Sequence, residues 1–304
     1  MNQAITMHGW AGDATNWRHW REELMAAGAA VRVLGAAIGV GFVAGPALGG
    51  LLSHVGSGPV HQAPFLLAAA FSLLALLMTL RLKAPPGGRL APQQAEQALQ
   101  ARIIMMMRSP LALYAAVALI LNLAFAQVEA SFVLVLRDYL GFGARETGWL
   151  FTYVGVCIVL VQAVLIRHMV KRLGEVGTMG FGSLLLIIGQ ALTVLAVIGL
   201  LPGGDYPLVQ TVIATTAICF GFALASPALS SAASKIAGSS SRGGSLGVVQ
   251  GFASLGQVIG LVAAGPFYDL GGTQYPFAFG VAVMIGLLAL LPWLARPEAS
   301  DDIS

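Results

Sequence analysis

Charge is what this sequence has least of. Only 10% of its 304 residues are Asp, Glu, Lys or Arg, while 57% are hydrophobic and mean hydropathy is +0.83. A water-soluble chain carries roughly 25% charged residues. Too little polar surface exists here to face water, so lipid must be the solvent for most of the chain. From residue 33 to residue 80 no Asp, Glu, Lys or Arg occurs at all. Cysteine is almost absent. Cys157 and Cys219 lie far apart inside apolar runs, a spacing that points to neither a disulfide framework nor a metal centre. The net charge of +3 comes from dispersed basic residues rather than a cluster, which excludes nucleic acid as a partner. Residues 1–30 are polar and contain no apolar core of the kind a secretory leader carries.

What is present is a series of charge-poor runs, at about 33–53, 64–80, 109–136, 147–166, 176–204, 206–234, 243–268 and 270–295. Each approaches or exceeds the ~20 residues with which a helix crosses ~30 Å of hydrocarbon. The expected fold is therefore all-α and polytopic, with eight transmembrane helices. Orientation follows from the basic residues of the connecting loops. With the N-terminus inside, only Arg137 and Arg145 of the 16 Lys and Arg residues fall in outer loops. Both termini are expected in the cytoplasm. The longest connection, "RLKAPPGGRLAPQQAEQALQARIIMMMRSP" (81–110), reads as a linker between two helices before it and six after it.

Helices in lipid associate by close packing, so glycine faces matter. In "GFVAGPALGG" (41–50), Gly41, Gly45 and Gly49 recur one turn apart, Pro46 removes a backbone hydrogen bond, and Gly50 follows. This stretch resembles the glycine–proline motif on the fifth helix of the major facilitator superfamily, in its drug/proton antiporter branch. "GQVIGLVAAGPFYD" (256–269) echoes the same Ala-Gly-Pro. "RHMVKRLGE" (167–175), with Lys171, Arg172, Gly174 and Glu175, is similar to the short basic loop after the family's eighth helix. "RGGSLGVVQGFASLGQVIG" (242–260) has the glycine- and serine-rich look of its eleventh.

The resemblance implies a partial major-facilitator fold carrying the family's helices five to twelve. Residues 1–30 would be a polar fragment, 31–82 two helices of the N-terminal bundle, 83–109 a cytoplasmic linker, 110–296 the six-helix C-terminal bundle and 297–304 a cytoplasmic tail. It also implies export of small molecules by proton antiport across a bacterial inner membrane. The partners would be the bilayer, a small-molecule substrate and protons. The glycine face of the first span invites self-association. No cofactor, metal or catalytic set is expected.

Within the spans, Glu129 is the acid placed deepest. Intramembrane carboxylates are costly and so point to proton coupling or cation binding, the alternative being a glutamate reaching to water from the outer end of its helix. Asn122 lies seven residues earlier on nearly the same face. Gln250, Ser254 and Gln257 share a helix face that could line a cavity, with interhelical hydrogen bonding as the alternative. Ser226–Pro227 signals a kink, and His54 and His61 fall in an outer loop.

Two further readings stay open here. A chain without the family's first four helices could be a non-transporting remnant or a membrane interaction protein. "MHGWAGDATNW" (7–17) resembles the His-Gly turn and first helix of an α/β-hydrolase, with His8 and Gly9 at an oxyanion turn. The matching nucleophile pattern occurs only at Gly243–Gly247, around Ser245, where a loop enters an apolar run. No His follows it, so the hydrolase reading ranks last.

Overall fold

The computed structural model describes residues 62–81, 111–202, 206–236 and 242–294, with Gly45, Leu48, Gly49 and Leu52 as isolated helical positions. Segment 1–30, Gly41, Pro46, Gly50, the linker 83–109 and the tail 297–304 lie outside the described residues.

Every described element is helical: α1 (Ala63–Leu80), α2 (Leu111–Leu140), α3 (Ala144–Leu160), a π-helical turn (Val161–Leu165), α4 (Ile166–Val197), α5 (Pro207–Ile236), α6 (Arg242–Gly271) and α7 (Gln274–Leu294). Local chemistry sets the ends. α2 closes at Gly141, whose φ of 67° is the left-handed conformation that glycine tolerates. There the Gly141 and Phe142 N–H groups return to the carbonyls of Arg137 and Leu136, each at 3.0 Å. At the start of α3 the Glu146 carboxylate accepts the Gly143 N–H at 3.0 Å, satisfying a donor that a helix N-terminus otherwise leaves open.

Among the described residues six apolar helices are long enough to cross a membrane, in place of the eight spans expected from the sequence. The first expected span falls mostly outside the described residues. Two others, 147–166 and 176–204, are joined in one helical stretch, Ala144–Val197, of 54 residues. A straight helix of that length would reach ~80 Å, more than twice the hydrocarbon thickness. It is not straight: Gly174 sits inside it at φ 70°, ψ 177°. Packing shows the reversal. Tyr153 meets Thr216, and Cys157 and Val161 share a cluster with Cys219, Ala223 and Leu224, so α3 runs in the same direction as α5. Gly182 packs on Gly221 and Ala225, and Gly189 on Ala214 and Ile218, so α4 beyond Gly174 runs against α5. The break falls inside "RHMVKRLGE", the polar stretch at which charge separated these spans in the sequence.

The bundle is built on two closely packed pairs, α4 with α5 and α2 with α6, and α7 lies against α2 and α4. Its centre holds Leu121, Leu136, Met179, Leu186, Leu224, Phe277, Met284 and Leu287, all fully buried. Lipid tails are as apolar as leucine, so these side chains gain contact rather than dehydration, and small residues set how near the backbones come. A Cβ at Gly182 would stand 2.6 Å from the Gly221 carbonyl oxygen. One at Gly256 would collide with the Leu119 carbonyl. Gly45 and Gly49, the expected packing face, have no described atom within 4 Å of such a Cβ. No residue of α1 is buried.

Candidate functional site

The α2–α6 seam gathers several of the polar groups that lie within the apolar length of the bundle. Because Gly256 and Gly260 carry no side chain, α6 approaches the α2 backbone at Leu119 and Leu123. Three hydrogen bonds then join the helices. Gln127 Nε2 donates to the Gly260 carbonyl at 2.7 Å, Gln257 Nε2 to Glu129 Oε2 at 2.9 Å, and the Tyr268 hydroxyl to Asp138 Oδ2 at 3.1 Å. Arg137 Nε also holds Asp138, at 2.7 Å, at the end of α2.

Glu129 is exposed on the bundle surface, and Gln257 beside it is half-buried. Phe125 and Phe132 flank the acid at the i−4 and i+3 positions of α2, on the same side of the helix. Phe125 stacks on Phe222 of α5, with ring centres 3.7 Å apart, and Phe132 meets Phe151 of α3 edge-on at 5.7 Å. The carboxylate is thus bordered by aromatic pairs that connect α2 to α5 and α3. This arrangement can hold a proton or a cation at the carboxylate while presenting apolar surface around it.

The residues singled out in the sequence separate accordingly. Glu129 and Gln257, on different helices, are brought together. Asn122 is not, because its Nδ2 donates to the Ala118 carbonyl of its own helix at 2.8 Å. Gln250 and Ser254 are exposed on α6. In the basic turn, Lys171 and Arg172 are exposed, Gly174 makes the break, and Glu175 pairs with Lys235 at the end of α5. Ser231 Oγ donates to the same carboxylate at 3.4 Å. In this polar turn between apolar stretches, the Lys235 ammonium holds the Glu175 carboxyl below the usual carboxylate range, outweighing partial desolvation.

Two glutamines escaped the sequence reading. Gln127 and Gln190 are both fully buried. The Gln190 amide lies against Gly280 of α7 and has no hydrogen-bond partner among the described residues. The signal was available: a glutamine in the middle of an apolar run is costly when it faces lipid, so it should turn inward.

The hydrolase pattern Gly243–Gly247 lies in the first turns of α6, and no strand occurs among the described residues. A nucleophile elbow needs a strand-to-helix turn, and this stretch is helix throughout.

Comparison with known proteins agrees with the helical architecture. The chain is 29% identical over 269 residues to multidrug resistance protein 1 of Bacillus subtilis (strain 168), covering 88% of this chain and 64% of that protein. It is 26% identical over 270 residues to multidrug resistance protein 2 of the same organism, covering 87% and 64%. To the quinolone resistance protein NorA of Staphylococcus aureus (strain COL) it is 24% identical over 238 residues, covering 78% and 57%. The chain thus spans somewhat less than two thirds of the length of these relatives. Residues 19–199 and 130–303 each match the Major Facilitator Superfamily. With six membrane-length apolar helices among the described residues and family matches over most of its length, the chain is an integral membrane protein, and it belongs to the major facilitator superfamily.

Proposed function

We propose that this protein exports small molecules across a bacterial plasma membrane, driven by proton antiport. The observation that carries the reading is similarity over 88% of the chain to a protein named for multidrug resistance. Glu129 is the residue assigned to proton coupling, supported by its position between aromatic pairs and its hydrogen bond to Gln257. Gln257, with Gln250 and Ser254, borders the substrate path. No enzymatic step enters this reading, and the hydrolase-like words of residues 7–17 play no part in it.

The chain crosses the membrane eight times in this proposal, with two crossings before the linker 83–109 and six in 110–296. The reversal at Gly174 supports counting Ala144–Val197 as two of them. In this proposal both termini, the linker and the 167–177 turn lie inside, a reading supported by their basic residues.

Expression in an efflux-deficient host tests the function. Cells making the protein should accumulate less of at least one compound in a panel of apolar antibacterials that includes a quinolone. A protonophore should restore accumulation to the empty-vector level. Unchanged accumulation across the panel, with the protein confirmed in the membrane, would refute the proposal.

Topology has its own test, in a background with Cys157 and Cys219 replaced by Ser. Cysteine at Leu200, an exposed residue after α4, should react with an impermeant thiol reagent in intact cells. Cysteine at Arg167 should react only after the cells are opened. The reverse pattern would invert the assigned orientation.

A further inference from the structure

Cys157 and Cys219 are both free thiols and both buried, at 6% and 5% exposure. Nothing in their spacing connects them, yet they share one small apolar cluster between α3 and α5, with Ile158, Val161, Ala223 and Leu224. The register explains the meeting. α3 and α5 run side by side in the same direction, and the hydroxyls of Tyr153 and Thr216 meet at 2.7 Å. One turn further along, Cys157 stands at i+4 from Tyr153 and Cys219 at i+3 from Thr216, each on the same face as its predecessor. The two sulfurs therefore enter one seam from opposite walls.

The chemistry of such a seam is selective. Thiolate sulfur prefers soft metals. Zinc completes a tetrahedron of four ligands, and no group of three or more His, Cys, Asp or Glu suited to a metal occurs among the described residues. A univalent ion bound by two thiolates would leave a net negative charge in an apolar cluster, which is costly. A divalent ion that accepts two ligands leaves none. We propose that Cys157 and Cys219 form a two-thiol site that takes one divalent, two-coordinate thiophilic cation of the mercuric type, bridging α3 to α5. In the binding step two S–H bonds break, two sulfur–metal bonds form and two protons pass to water. Nothing is oxidised or reduced, and the product is neutral.

Mercuric chloride and the full chain in lipid nanodiscs supply the test. Intact-mass measurement at one equivalent should find the chain plus one mercury minus two hydrogens. A mercury–chloride adduct, by contrast, replaces a single hydrogen. In the wild type the second thiol acts as a tethered ligand. Cys157→Ser and Cys219→Ser should therefore each release mercury to glutathione at a concentration about a hundredfold lower than the wild type requires. The wild-type mass stands without any variant, so a folding defect in one cannot decide the matter. Two mercury–chloride adducts on the wild type, no mercury uptake, or equal release from wild type and single variants would overturn the site.

Discussion

Replacing Glu129 by Gln should abolish pH-driven transport in proteoliposomes while leaving expression and folding intact. The carboxylate accepts a hydrogen bond from Gln257 Nε2 at 2.9 Å, and a glutamine at 129 offers a carbonyl oxygen of the same reach in the same place. The α2–α6 bridge therefore survives the change, and only the capacity to take and release a proton is lost. A carboxylate within the apolar length of a helix is costly to keep, so a stability role alone would favour the amide. The initial rate of flux driven by an imposed pH gradient should fall to the level of protein-free liposomes, because the group that couples the proton is gone. Substrate binding measured without a gradient should fall far less. Asn122→Ala serves as the contrast, because the Asn122 amide donates to the Ala118 carbonyl of its own helix; it should leave coupling in place. Gradient-driven flux that persists in Glu129→Gln would remove Glu129 from the coupling role.

The second large effect concerns the glycines that let the helices touch. Gly221→Leu should separate α4 from α5. A Cβ at residue 221 would stand 2.6 Å from both the Gly182 carbonyl oxygen and the Leu186 backbone nitrogen. Those are backbone atoms that no rotamer change can move aside, and the remaining leucine carbons need room as well. Overpacking of this kind costs about 1–3 kcal/mol. The seam anchors the most extensive helix pair of the bundle, which places the expected cost at the upper end of that range. Thermal unfolding in detergent, followed by a dye that fluoresces on reaching the buried thiols of Cys157 and Cys219, gives the readout. The midpoint should drop by several degrees, the usual consequence of a loss of this size. Gly251→Ala, where no described atom lies within 4 Å of the new Cβ, should match the wild type. A Gly221→Leu protein that unfolds with the wild type would mean that this close approach does not hold the pair together.

Much of the architecture is legible in the spacing of charge. The boundaries of α2, α5, α6 and α7 follow the charge-poor runs to within several residues, because hydrocarbon tolerates almost no ionised group and spans must end where charges begin. The glycine- and serine-rich look of residues 242–260 pointed to close packing, and Gly256 and Gly260 do press on the α2 backbone. Charge also separates two spans at "RHMVKRLGE", and the chain reverses within that stretch; that the reversal sits at Gly174, with its positive φ, is a conformational detail that charge does not show.

Partnership between side chains was not legible at all. Asn122 and Glu129 were grouped because they share a helix, yet Asn122 turns to its own backbone and Gln257, from a distant part of the sequence, reaches the acid. Gln127 and Gln190 had drawn no reading from the sequence, yet packing buries both. Cys157 and Cys219 looked unrelated until parallel packing of α3 and α5 put them in one cluster.

By itself, then, the sequence determined the solvent, the helical class and the approximate ends of the spans. Each of these depends on the transfer free energy of single residues, which is a local property of composition. Which helices touch, in which direction they run, and which thiol or carboxylate meets which partner were decided only by the tertiary structure. Those outcomes depend on backbone approach at glycines such as Gly182, Gly221 and Gly256, and on helix register. Both are relations between surfaces far apart in the chain, and they take definite values only once the helices have packed.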